Sequence, residues 1–265
     1  MDESAIYTAV DIETTGLRVY EADVIEIAAV RFEAGQPTGE SFVGLARPRV
    51  PIPADATAVH GMTDDDLRDA PEIGETMAGL AEFLRGELVV CHNAGFDVPF
   101  LARELRAHGL ETRSEVTDTI AVAKQRVSLW SYSLSPLCDH LGFSISDRHR
   151  AEGDALATGE ALWKLMRMGS DGAVATLAEL PRSRPLEPVR FDDLPDLPAA
   201  AMIDECPPGT EVELTYSTGR GAPRPRRVTV EFYSRTRDRA YLTARSHSHQ
   251  GQRRAYRLDR VVGWG

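Results

Sequence analysis

The chain has 265 residues, 42% of them hydrophobic, and a formal net charge of −11. That size suits one large domain, or a large one with a small partner, built on a sizeable core. The acidic balance excludes a uniformly basic nucleic-acid coat, and no apolar run is long enough to span a membrane.

Cys91, Cys138 and Cys206 are scattered, with neither a disulfide framework nor a zinc spacing, and read as buried free thiols. Residues 1–4 lack the basic start and apolar run of a signal peptide. The expected location is therefore reducing and cytoplasmic, the nucleoid included.

In chain order, Ala5 to Ala9 is short, apolar and β-branched, and runs as a strand through Val10-Asp11-Ile12-Glu13 to a Thr14-Thr15-Gly16 turn. Residues 23–32 and 41–45 read as two more strands, with Gly35-Gln36-Pro37 suited to the hairpin between them. Pro48, Pro51 and Pro53 imply an extended connection, and Thr63 with the acids after it implies a capped short helix. Residues 72–85 carry apolar side chains at helical spacing, and Leu88 to Cys91 is a short, fully apolar strand of the kind buried in a sheet centre. Helices are expected over 96–108, 118–125, 135–141 and 151–168. Strands followed by helix–strand alternation give an α/β class. Five prolines over 181–198 read as an extended linker. The tail then alternates: Val212, Leu214 and Tyr216 share one strand face, and Val228, Val230 and Phe232 another. Residues 240–244 and 255–258 continue the pattern, which suggests a small barrel. Residues 204–265 hold 12 Arg, no Lys and 7 acids, so this tail stands at +5 and the remainder at −16. Such asymmetry points to an anion-binding tail.

Residues two apart in a strand share a face, so Asp11 and Glu13 point the same way. Two close carboxylates repel, and a divalent cation removes the conflict. Taken alone, the pair also fits an acidic strand end facing water. Asp97 falls in the first turn of a helix that follows the buried strand, at the sheet edge where α/β folds bind ligands; alone, it also fits a residue favouring a helix N-terminus. His149 precedes the long helix and Asp154 lies in its first turns. Small residues at 151, 153, 155 and 157 let that helix approach another backbone closely.

Together these residues resemble the DEDDh (DnaQ-like) 3′→5′ exonucleases. The first motif is Asp11-Ile12-Glu13-Thr14-Thr15-Gly16, the second His92-Asn93-Ala94-Gly95-Phe96-Asp97, and the third His149 with Asp154. Val59-His60-Gly61-Met62-Thr63 and Asp118-Thr119 resemble two further family segments. The resemblance covers roughly residues 5–168. It implies an RNase H-like fold, with a central mixed sheet flanked by helices. It also implies two divalent cations, Mg²⁺ or Mn²⁺, held by Asp11, Glu13, Asp97 and Asp154, with His149 as general base. Such sites hydrolyse phosphodiesters, and imidazoles titrate near neutrality, as a general base should. The implied substrate contacts are Thr14, Thr15, Gly16, Leu17, His60, Asn93 and Phe96, with Phe96 equally suited to the core.

Residues 203–262 resemble the WYL domain, an SH3-like barrel, although Ala240 stands where that family has its Trp. Arg224, Arg226, Arg227, Arg245, Arg253, Arg254 and Arg257 suit phosphates, and Tyr241 and Tyr256 suit stacking; a solvated basic surface packed on the acidic domain fits equally. Ser246-His247-Ser248-His249 reads as a loop rather than a metal clip. The expected organisation is an exonuclease domain over 1–180, a linker over 181–201 and a small barrel over 202–265. The expected partner is nucleic acid, chiefly 3′ ends of single-stranded DNA, alongside a polymerase or repair protein and with no membrane. An RNA-trimming enzyme and a non-catalytic sensing module are the alternatives.

Overall fold

The computed structural model describes residues 5–84, 86–168, 175–190, 199–219, 221–236 and 238–265. Residues 1–4, expected not to open a signal peptide, and residues 191–198 of the expected linker lie outside this set.

The first sheet is built from β1 (Ile6–Thr14), β2 (Val24–Glu33) and β3 (Gln36–Leu45). The hairpin turns at Ala34-Gly35, so Gln36 and Pro37 already belong to β3. α1 (Ala54–His60) follows where only an extended connection was expected. The three prolines stop short of it: Pro53 is its N-cap, a position that tolerates a missing N–H. Thr63 caps a turn instead of a helix, donating its amide to Asp66 at 2.8 Å. α2 (Ile73–Leu84), β4 (Val89–Cys91) and α3 (Ala94–Ala107) come next. β5 (Val116–Asp118) was not anticipated and precedes α4 (Thr119–Arg126). α5 (Leu134–His140) and α6 (Ala151–Met166) complete this part.

The strand order is β3-β2-β1-β4-β5, with β1 antiparallel to β2 and parallel to β4. β1 is thus central, and its alternating side chains serve two cores. Val10 and Ile12 pack with Met77, Leu80 and Leu101 of α2 and α3. Tyr7 and Ala9 pack with Ala155, Leu162 and Leu165 of α6. Residues 181–190 are docked, not loose. Ser183 donates to the Val116 carbonyl at 2.8 Å, and Leu186 to that of Ser114 at 3.0 Å.

After α7 (Ala200–Glu205) come β6 (Glu211–Tyr216), β7 (Arg224–Arg235), β8 (Ala240–Ser246), β9 (Arg253–Arg257) and β10 (Val261–Trp264). Their order is β10-β6-β7-β8-β9, and among the described residues β9 and β10 do not pair. The expected closed barrel is therefore an open antiparallel sheet. Its apolar side chains are covered by Met202 and Ile203 of α7 and by Ala102 of α3, so burial does not require the sheet to close on itself.

A buried ionic cluster joins the two sheets. Arg103 of α3 pairs with Glu104 and donates to the carbonyls of Val19 and Ala22. Arg49 reaches Asp23 at 2.8 Å and Glu104 at 2.9 Å. Arg253 of β9 reaches Asp23 at 3.0 Å and Glu231 at 2.5 Å. The Arg103 guanidinium lies 4.1 Å from the Phe232 ring centre, a cation–π contact.

Candidate active site

β1 directs Asp11 and Glu13 to the side it shares with Tyr7 and Ala9, towards α6. Asp97 stands in the first turn of α3, one loop beyond the end of β4, and is buried. Asp154 stands in the first turn of α6. His149, just ahead of that helix, has φ 63°, an uncommon conformation for a side chain other than glycine. Its amide donates to Asp154 Oδ2 at 3.3 Å. Glycine is needed at two close approaches of α6. A Cβ at Gly153 would meet the Ser146 carbonyl oxygen at 2.2 Å, and one at Gly159 would meet the Phe32 ring at 2.2 Å.

Ligand-capable atoms of Glu13, His149 and Asp154 lie within 4.8 Å of one another. Asp154 Oδ1 is buried with no hydrogen-bond partner among the described residues. Burial pushes the Asp11 carboxyl well above the usual range, and the charges of Asp97, Asp154, Glu13 and Glu26 push further. Burial, then Asp154, Glu26 and Asp97, raise Glu13 to about 8. Burial also raises Asp97 to about 8, against backbone hydrogen bonds from its own amide and from Ile12. Asp154 is raised by burial as well. Four carboxyls that disfavour joint ionisation, with one unpartnered oxygen, fit a hard divalent cation, which prefers oxygen ligands.

The expected substrate contacts divide. Leu17 is 85% exposed and Phe96 half-buried, and both line a cavity of about 680 Å³ with Tyr20, Gly95, Asp118 and Arg235. Phe96 also packs on the core, 5.1 Å from Phe100 between ring centres, so it serves both expectations. The Thr14 and Thr15 hydroxyls are engaged within the turn, the first donating to the Gly16 carbonyl at 2.8 Å, the second accepting from the Asp23 amide at 2.9 Å. Asn93 is exposed, and its amide donates to Asp118 at 3.1 Å. His60 is buried, its Nδ1 accepting from the Met62 amide at 3.1 Å. His92, of the same motif, is pushed down to about 4 by burial, and its Nδ1 lies 2.7 Å from the Thr119 hydroxyl.

One residue of this site escaped the sequence reading. Glu26 faces Glu13 across the β1–β2 register and is buried. It binds Arg150 at 2.6 Å and accepts the Ala151 amide at 3.0 Å. The available signal was an acid inside the apolar strand Val24–Phe32. In the tail, Arg245 and Arg257 are spent on Glu231 and Asp259, which removes them from the phosphate-binding candidates. Arg253 pairs with Asp23 and Glu231 but keeps its Nη2 unpartnered among the described residues. His247 and His249 lie in a 3-10 turn where a loop was expected, and they bond separate hydroxyls, of Thr229 and Ser246.

Residues 8–162 match the Exonuclease (RNase_T) family. A DNA polymerase III subunit epsilon-like protein of Rhodobacter capsulatus is 38% identical over 165 residues, 60% of this chain and 23% of that protein. The chain spans 12% of the PolC-type DNA polymerase III of Oceanobacillus iheyensis, at 32% identity over 66% of this chain. Exonuclease X in complex with 5′ overhanging duplex DNA aligns with a TM-score of 0.51 and 25% identity, over 63% of this chain and 97% of that one. E. coli exonuclease I in complex with a dT13 oligonucleotide aligns at 0.54 and 15% identity, over 91% of this chain and 55% of that one, a likeness of fold that extends into the second sheet. No described helix is long and apolar enough to cross a membrane. With the family match spanning more than half of its length, the protein belongs to the exonuclease family.

Proposed function

We propose that the protein is a metal-dependent 3′→5′ exonuclease acting on DNA, preferring single strands or 3′ overhangs and releasing nucleoside 5′-monophosphates. The observation that carries this reading is the convergence of Glu13, His149 and Asp154 within 4.8 Å, with one buried carboxylate oxygen left unpartnered.

Asp11, Glu13, Asp97 and Asp154 would hold two divalent cations, Mg²⁺ or Mn²⁺. Bound cations of this kind activate water and steady the leaving oxygen in phosphodiester hydrolysis. His149 takes the proton of the attacking water at an imidazole nitrogen. Its left-handed backbone and its amide bond to Asp154 fix where that ring starts. Leu17 and Phe96 border the terminal base, and the Thr14-Thr15-Gly16 turn offers backbone groups and the Thr15 O–H, which accepts from Asp23 but donates to no partner among the described residues.

DNA is favoured over RNA as substrate by the polymerase III relatives and by the DNA complex of exonuclease X. The same relatives make a polymerase or repair protein the partner to seek. Residues 1–180 would form the catalytic domain and residues 202–265 a smaller accessory one.

The test is a 5′-labelled single-stranded DNA oligonucleotide incubated with the full chain in Mg²⁺ and in Mn²⁺, beside matched RNA. Stepwise shortening from the 3′ end that stops with EDTA and with Asp11→Ala supports the reading. An Asp11→Ala protein that trims as fast as the wild type sinks it.

A further inference from the structure

A second cavity, of about 890 Å³, opens on the second sheet and is lined by Tyr20, Tyr216, Tyr241, Tyr256, Arg253 and Arg254 among others. Two of the lining residues carry a buried polar atom with no partner among the described residues: Arg253 Nη2 and Tyr256 Oη. The side chain of Arg253 is only 7% exposed and Tyr256 only 4%, so these groups are not freely solvated. A guanidinium nitrogen can only donate, so whatever satisfies it is an acceptor. Arg226 and Arg254 also line this cavity, and neither pairs with a carboxylate among the described residues. The carboxylate on the wall, Glu21, is turned to Arg18 at 3.3 Å. The cavity therefore presents donors and positive charge to its occupant.

Its aromatic walls add a second preference. Tyr20 and Tyr241 stack with centroids 4.2 Å apart, and Tyr216 meets Tyr256 edge-on at 5.2 Å. Flat rings beside guanidinium groups take bases and phosphates together. Tyr20 also lines the cavity that holds Leu17 and Phe96, so the two cavities share a wall. The Tyr20 carbonyl accepts the Thr243 hydroxyl at 2.6 Å, which ties that wall to β8.

We propose that this cavity is a second nucleotide-binding site, in which Arg226, Arg253, Arg254 and Tyr256 hold phosphates of the substrate strand upstream of the end being cut. The ligand class rests on the nuclease reading; the anion preference rests on the cavity alone. A free nucleotide shares the same chemistry and is the other source.

The test measures binding by the full chain in EDTA, which stops turnover. Fluorescent oligothymidylates are used, one short enough to occupy the carboxylate site alone and one several times longer, with thymidine 5′-monophosphate as competitor. Two variants are compared with wild type: Arg226→Ala/Arg254→Ala and Tyr256→Phe. The second removes only a hydroxyl that bonds nothing in the fold, so its folding is spared, and thermal melting checks both. Affinity for the long strand should fall roughly tenfold in the double variant. Its salt slope should become shallower by about 1.4, at roughly 0.7 per phosphate lost. Short-strand affinity and hydrolysis of thymidine 5′-monophosphate p-nitrophenyl ester should not change. Loss of mononucleotide binding with long-strand binding intact keeps the nucleotide site and assigns it to a free nucleotide. Equal affinities and slopes for every ligand in folded variants overturn it. A wild type that cleaves neither ester nor strand sinks the nuclease reading instead, and leaves the binding comparison standing.

Discussion

Glu26 and Arg150 form an ion pair at 2.6 Å that anchors the start of α6 to β2. The other Glu26 oxygen accepts the Ala151 amide at 3.0 Å. The helix carrying Asp154, and the residue before Arg150, His149, are therefore placed by an acid on a neighbouring strand. Glu26→Ala leaves the Ala151 amide without this partner and should lower stability by about 1–3 kcal/mol. Because it orients a ligand-bearing helix, activity should fall roughly 10–100-fold. Urea unfolding and steady-state kinetics check both. An unchanged turnover number with a raised KM would show that Glu26 contributes to substrate binding instead.

Removing a site acid should separate stability from activity. Asp154 adds repulsion to Asp11 and Glu13, and its own carboxyl is raised by burial. Asp154→Asn should cut activity roughly 100-fold or more, yet raise the melting temperature of the metal-free protein. A metal-free variant that melts lower than wild type would contradict the repulsion.

The pH dependence of the metal-free protein follows from the same groups. Glu13 titrates at about 8 in the fold against an ordinary 4.5. A folded value above the unfolded one gives stability that is complete below 4.5 and is lost as pH rises towards 8. Asp97, at about 8, adds to this. Melting temperature without metal should therefore drop between pH 5 and 8, as ~3 units of pH uncover the carboxylates. Mg²⁺ or Mn²⁺ should flatten the curve by binding the ionised form. Differential scanning fluorimetry with and without EDTA measures it.

The inter-sheet cluster carries the opposite sign. Burial alone would raise Glu104, but Arg103 and Arg49 outweigh it and hold the carboxyl well below its usual 4.5. Its stabilising share is present above 4.5 and is lost as pH falls further. Arg103→Met leaves this buried acid short of a partner and should cost about 3–5 kcal/mol. Adding Glu104→Gln should restore part of that in denaturant unfolding. If the single variant unfolds at the wild-type midpoint, the cluster does not hold the sheets together.

Gly153→Ala tests the approach of the His149 loop to α6. Its Cβ would meet two backbone carbonyl oxygens, of Ser146 at 2.2 Å and Asp147 at 2.5 Å, and neither can rotate away. Overpacking of this kind costs about 1–3 kcal/mol. The loop that yields leads to His149, so turnover should fall while metal affinity, read by calorimetry, changes little.

Much of the α/β part was legible because its signals are local. The alternation in Val10-Asp11-Ile12-Glu13 puts two acids on one face, and the apolar periodicity of residues 72–85 and 151–168 marks the covering helices. The acids on α3 and α6 became readable only through the family resemblance, because spacing along a chain does not say which turns meet. Glu26 was hidden for the same reason: its partners lie across a strand pair and over 100 residues downstream. α1 was missed because prolines ahead of it read as extended chain, although Pro53 also starts a helix. The tail's strands were visible, but closure was not. Alternation shows which face is apolar and leaves open whether a sheet or a helix covers it; here α7 and Ala102 do.

Arg103 has a consequence for how a DNA end would be measured. Through the carbonyls of Val19 and Ala22 it grips the loop that presents Leu17, and it sits on the helix whose first turn carries Asp97. The two positions are separated by about 9 Å along one helix axis. That helix acts as a ruler with a carboxylate at one mark and a clamp on the base-facing loop at the other. Under the proposed function, an incoming strand would meet a gauge set before it arrives.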